Sequence, residues 1–201
     1  MRGFFVFFTT TWFALAAAAI AQPAPQTHIR GTIQSVTEHS LTIATREGQT
    51  VDVALKEPLN VSTMKRLALS AIQAGTFIGA AAKPDANGEL VAMEVLVFPE
   101  AARGAGEGHY GWDLAPGSTM TNANIAAMVE GTSGRELTLT YKGGSTKVLV
   151  PADVPIVGLM RGDRADIKPG VQVFFTPIRA ADGSLSVARI IVGKDGVAPP
   201  M

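Results

Sequence analysis

The chain has 201 residues, 47% of them hydrophobic and 17% charged, with 17 Lys and Arg balancing 17 Asp and Glu and no cysteine. The apolar content excludes global disorder, and the balanced charge argues against binding that depends on neutralising nucleic-acid phosphates. Without thiols there are no disulfides, no cysteine-ligated zinc and no thiol catalysis.

The chain opens with the basic Met1-Arg2-Gly3, an uncharged run from Phe4 to Ala19, and Ala19-Ile20-Ala21 ahead of Gln22-Pro23. A charged start, an apolar middle and a small-residue cleavage site make residues 1–21 a secretory signal peptide. The run is shorter than the ~20 residues a spanning helix needs. Cleavage is therefore expected, leaving an exported chain, periplasmic or secreted, with no transmembrane anchor. Trp12 and five of the 9 Phe are lost with this segment, so Trp112 becomes the sole tryptophan.

Strands are predicted over 29–37, 41–43, 51–55, 76–83 and 90–98. Val51-Asp-Val-Ala-Leu55 alternates with the period of a strand, and Asp85-Ala-Asn-Gly88 is a hairpin turn signal. Between the third and fourth strands, Met64, Leu67, Ala68, Ala71 and Ile72 have helical spacing, with Ser62 or Thr63 as a cap and Gly75 as a stop. The same unit then recurs. Ile29-Arg-Gly-Thr-Ile33 aligns with Ile125-Ala-Ala-Met-Val129, which sets Ala127 in the place of Gly31. Ser40-Leu-Thr-Ile43 aligns with Glu136-Leu-Thr-Leu139, Gly75 with Gly170, Gly88 with Gly183, and Val95-Leu-Val97 with Ile190-Ile-Val192. In the second copy the helical segment is replaced by polar Arg161, Asp163, Arg164 and Asp166 around Gly162, so only a turn is expected there. The fold class is all-β with minor helix. Five strands per copy with an element between the third and fourth predict two tandem OB-like small barrels, over 22–98 and 125–193. A disordered tail is expected over 194–201.

The pattern Ile29-x-Gly31, Leu41-Thr-Ile43, Gly48, Val51-x-Val53, Gly75, Gly88-x-Leu90-x-Ala92 and Val95-x-Val97 resembles a small β-barrel domain of exported bacterial proteins, a domain of unknown function. The resemblance spans most of 28–98 and, more loosely, 125–193. It implies a bacterial envelope protein and carries no catalytic residues with it.

The linker, residues 99–124, collects the uncommon side chains. Its stretch from Arg103 to Gly111 is glycine-rich and expected to be mobile. Tyr110, Trp112 and Leu114 are too apolar for a solvated tether. Either Trp112 and Leu114 plug the crevice between the barrels, or the segment forms a ligand or partner contact.

Catalytic and metal signals are sparse. His28 and His39 read as solvated surface residues. His109, Met120 and Met128, with the indole of Trp112, are the candidate ligands of a soft metal such as copper, since imidazole and thioether select Cu(I). Met128 is also expected to point into the second core. His109, Asp113 and Ser118 are of triad type but sit in a loop unable to hold a triad unless the fold clamps it. The pairs Asp163–Asp166 and Asp85–Glu89 read as solvated turns. No phosphate loop, nucleophile elbow or calcium loop is present. The chain is therefore expected to be non-enzymatic: an exported binding or adaptor protein for an envelope protein, peptide or polymer, with no nucleic-acid partner and no cofactor. A periplasmic copper- or silver-binding protein is the alternative.

Overall fold

The computed structural model describes residues 28–132 and 134–199. The signal peptide expected over 1–21 lies outside them. Among the described residues the chain is all-β: thirteen strands and three short 3-10 turns. No helix there is long and apolar enough to cross a membrane.

The first copy contributes β1 (Ile29–Val36), β2 (Ser40–Thr45), β3 (Thr50–Arg66), β4 (Phe77–Pro84) and β5 (Leu90–Val97). The linker contributes β6 (Gly108–Gly111). The second copy contributes β7 (Thr119–Gly131), β8 (Gly134–Tyr141), β9 (Gly144–Val150), β10 (Ile156–Arg161), β11 (Gln172–Phe175), β12 (Ile178–Arg179) and β13 (Leu185–Val192). The expected strands are present within a residue or two, except that β3 is far longer than its 51–55 core.

The pairings do not keep the copies apart. β1 pairs with β2, β2 with β3, β3 in parallel with β13, β13 with β11, and β11 back with β1. That ring takes its first three strands from the first copy and its last two from the second. The reciprocal ring runs β7–β8–β9–β5–β4–β7, with β9 and β5 parallel. Each barrel is thus a hybrid, which corrects the tandem boundaries 22–98 and 125–193: neither span closes on itself. The cores follow the rings. Ile33, Leu41, Ile43 and Val53 pack with Val173, Phe175, Val187 and Ile190. Ile78, Ala80, Ala92 and Val95 pack with Ile125, Leu137, Leu139 and Val148.

The crossover in the first copy explains the exchange. The predicted helix from Met64 does not form. β3 continues extended to Arg66, and only Leu69–Ala71 makes a 3-10 turn. Leu59, Val61 and Thr63 alternate with period two, and two of them are β-branched, so this stretch suits a strand. At ~3.3 Å per residue an extended segment carries the chain out of one barrel and into the next. Accordingly Leu59 and Val61 pack in the first core, Met64 lies between the barrels with Leu96 and Val157, and Leu67 packs in the second core. The return crossover zips against it, with Val157 to Arg161 of β10 paired antiparallel to Arg66 to Ser62 of β3. In the second copy the crossover ends in the short turn Arg164–Asp166, closed by a reciprocal cap between Asp163 and Asp166.

Glycines that align between the two copies adopt matching backbone angles. Gly75 and Gly170 share φ of +83°, and Gly88 and Gly183 share +84°, a left-handed conformation that favours glycine. One alignment shifts. Ile33 pairs with Ile43 before the bulge in β1, as Ile125 pairs with Leu139 before the bulge in β7. The first strands are therefore equivalent at an offset of 92, where the second strands keep 96, because the β7–β8 hairpin is longer. Ala123, rather than Ala127, takes the place of Gly31.

Within the stretch expected to be a disordered tail, residues 194–197 form a turn. Lys194 and Val197 bridge, the Lys194 ammonium donates to Asp166 at 2.9 Å, and Val197 packs between the barrels.

Candidate functional site

The linker is built rather than loose. β6 adds to β7 with Gly108 opposite Asn122 and Gly111 opposite Thr119, so the stretch expected to be mobile includes a strand. β7 already begins at Thr119, within the expected linker. After β6 the chain makes a tight excursion and returns, and the Trp112 amide donates to the Ser118 carbonyl at 2.8 Å. The buried Ser118 hydroxyl closes this loop. It accepts from the Ala115 amide at 3.1 Å and lies 2.9 and 2.8 Å from the Trp112 and Ala115 carbonyls.

This loop belongs by pairing to the second barrel, but it docks on the first. Asp113 accepts from the Arg30 guanidinium at 2.7 Å and from the His28 amide at 3.1 Å, and lies 2.9 Å from His28 Nδ1. Arg46 donates to the Leu114 carbonyl at 3.1 Å. The His28 ring lies 4.3 Å from Trp112 and 5.3 Å from Phe174, centroid to centroid. The Arg30 guanidinium sits 5.7 Å from the Trp112 ring and 5.1 Å from the Phe174 ring, a cation–π pair of contacts. Burial would raise the Asp113 pKa, but the hydrogen bonds from Arg30 and His28 outweigh it and bring it down to about 2. The carboxylate therefore stays charged at neutral pH.

Beneath the loop, Trp112 and Leu114 pack on Ala81 and Met120. The outer face of the second barrel is cut low for them. Glu94, Ala81, Met120 and Tyr110 form one cross-strand row over β5, β4, β7 and β6, and Gly79 and Asn122 fall in the next. A Cβ on Gly79 would stand 2.7 Å from Asn122 Oδ1, so a larger residue there would have to displace the Asn122 side chain. Trp112 and Leu114 are partly buried there, so each contributes less than the about 1.5–3 kcal/mol of a fully buried apolar side chain. The plug reading of Trp112 and Leu114 thus has direct packing behind it.

On the open side the loop walls an aromatic cleft of about 810 Å³, lined by His28, Tyr110, Gly111, Trp112, Asp113, Gly117 and Ser118. Tyr110 is 38% exposed, and its hydroxyl accepts from Asn122 Nδ2 at 3.1 Å. The rings of Tyr110 and Trp112 stand edge to face with centroids 6.2 Å apart. Two of the three expected contact residues, Tyr110 and Trp112, therefore face a common cavity, while Leu114 packs beneath it.

The proposed metal set is not brought together. In β6, His109 is opposite Thr121 and Tyr110 opposite Met120, so His109 and Met120 lie on opposite faces of the ribbon. His109 Nδ1 is 2.8 Å from the Thr121 hydroxyl, and its ring stacks over Tyr141. Met120 is buried under the loop, and Met128 packs against the second core, as expected of it. No trio of His, Asp and Glu converges among the described residues.

The triad-type residues are likewise redistributed. Asp113 pairs with His28 and Arg30, not with His109, and the Ser118 hydroxyl is occupied by the turn it closes. Asp85 caps its own hairpin by accepting from the Asn87 and Glu89 amides. His39 is solvated as expected, whereas His28 is not: its side chain is 13% exposed. Sequence reasoning missed His28, Arg30 and Phe174. Its usable signal was Asp113 itself, a charge set between Trp112 and Leu114, which needs a partner once those two are buried.

No protein-family model matches the chain, and no curated protein or solved structure matches it.

Proposed function

We propose that the chain is an exported, non-enzymatic binding or adaptor protein that takes its partner at the cleft formed by Tyr110, Trp112 and His28. The supporting observation is the cleft of about 810 Å³, within the ~300–1,000 Å³ typical of ligand sites, with aromatic walls held by two barrels and one loop. Its rings are fixed by contacts from β1, β6 and β11, so little ordering remains to be done on binding. The groups in it that could do acid–base or nucleophilic work are engaged in holding the loop. Export rests on the signal-peptide pattern of residues 1–21. Kinship with a bacterial envelope domain rests on the glycine and apolar pattern of the two copies.

Photo-crosslinking in cells tests this reading. A benzophenone amino acid at Tyr110 should give a discrete adduct in the envelope fraction, whereas the same group at the exposed Val129 should not. A chain retained in the cytosol, or identical patterns from both positions, overturns it.

A further inference from the structure

Resting on the binding reading, we propose that the cleft takes a neutral carbohydrate, with a pyranose ring against Tyr110 and Trp112 and its hydroxyls on Asp113. A pyranose has an apolar face of C–H groups and a polar rim. It matches a site that combines aromatic surface with a fixed acceptor.

The other ligand classes fit less well. A cation would be drawn to aromatic faces beside a carboxylate, but that place is filled from within. The Arg30 guanidinium already lies over Trp112 and Phe174 and pairs with Asp113 at 2.7 Å. An anion would meet the Asp113 carboxylate, and among the described residues no lysine or arginine lines the cleft. Arg30, 8% exposed, lies behind the wall. A peptide adding as a strand would have only the outer edge of β6, a strand of 4 residues that ends where the Trp112 amide turns back to bond Ser118, so little edge is offered to it. What remains unspent is suited to hydroxyl groups. Asp113 is half-exposed with acceptor capacity left, and the Tyr110 hydroxyl, which accepts from Asn122, still has a proton to donate. A hydroxyl donating to an ionised carboxylate is also among the stronger neutral-ligand contacts.

The test uses the full chain carrying Trp12→Phe, in which Trp112 is the only indole. Chitotetraose, maltotetraose and cellotetraose are titrated while its emission is followed, with decaproline and tetramethylammonium in parallel. At least one sugar should change the emission saturably. Tyr110→Ala should weaken that binding about tenfold or more, whereas Val129→Ala, at the far end of β7 from Met120, should leave it unchanged. No response to any of the three sugars at millimolar concentration overturns the carbohydrate assignment, as does sugar binding that ignores Tyr110→Ala. Saturable binding of decaproline or tetramethylammonium in place of the sugars also overturns it, while leaving the cleft as a binding site. Failure of the binding reading itself shows instead in the crosslinking pattern.

Discussion

The Ile33 amide of the first copy donates to the Val171 carbonyl of the second at 2.9 Å, joining strands 138 residues apart across what is one barrel wall. Its counterpart in the other barrel is Ile125, whose amide donates to the Thr76 carbonyl at 2.9 Å. The two bonds express the exchange of strands between copies. Thr32 and Gln172, adjacent to the first bond, face each other at a non-hydrogen-bonded position, where Cα atoms approach to about 4.5 Å. Thr32→Cys with Gln172→Cys should therefore form a disulfide in a chain that has no other cysteine. After cleavage within the linker, non-reducing electrophoresis should show the two halves still joined. Halves that separate would mean that each copy closes on itself.

Arg30 and Asp113 hold the loop onto the first barrel. Asp113→Asn removes the charge facing a buried guanidinium and should destabilise the fold by about 2 kcal/mol in chemical denaturation. In an Arg30→Met background the same substitution should cost much less, since no buried charge is left unpaired. Equal costs in the two backgrounds would show that the pair does not act as a unit.

Glu94 makes stability depend on pH in the opposite sense to Asp113. Burial raises the Glu94 pKa to about 7, against the attraction of Arg66, and its Oε1 has no hydrogen-bond partner. The folded protein thus holds this proton more tightly than the unfolded chain, so Glu94 favours folding below pH ~4.5 and loses that advantage as pH rises to about 7. The total is on the order of 3 kcal/mol. Asp113, with its pKa lowered to about 2, contributes above pH ~4 and is lost as pH falls from there toward 2. Between pH 5 and 8, denaturation midpoints should fall for the native chain and stay nearly level for Glu94→Gln, which should also be the more stable at pH 8. Parallel profiles would show that Glu94 is solvated.

Gly31 and Ala123 occupy equivalent places in the two first strands with different tolerances. A Cβ on Gly31 would stand 2.2 Å from the Ala44 carbonyl oxygen, a backbone atom of the paired strand. Gly31→Ala should cost about 2–3 kcal/mol. Ala123 is fully buried in the second core, and Ala123→Gly should cost about 1 kcal/mol through the lost methyl and the added backbone freedom. Thermal melts of the two variants should rank in that order. The reverse ranking would contradict the assigned register.

Local chemistry alone determined the all-β class and the hairpins. Alternation at Val51-Asp-Val, the Asp85–Gly88 turn and the paired glycines act within a few residues, and neighbours in sequence suffice to read them. The stretch Leu59–Ile72 was ambiguous because it carries both periods at once, and its pairing with β10 decided for the strand. That same pairing decided which barrel each half-copy completes. Two stretches with similarly placed apolar residues offer comparable partners, and the extended crossover leads the chain to the distant one. Tyr110 and Trp112 stood out in the sequence as apolar residues in a glycine-rich linker. Their companions His28, Arg30 and Phe174 did not, since Arg30 and Phe174 are ordinary strand residues and His28 merely precedes β1 until the docked loop gives each a partner. A buried charge and an aromatic wall are properties of what lies opposite, and tertiary structure alone sets that.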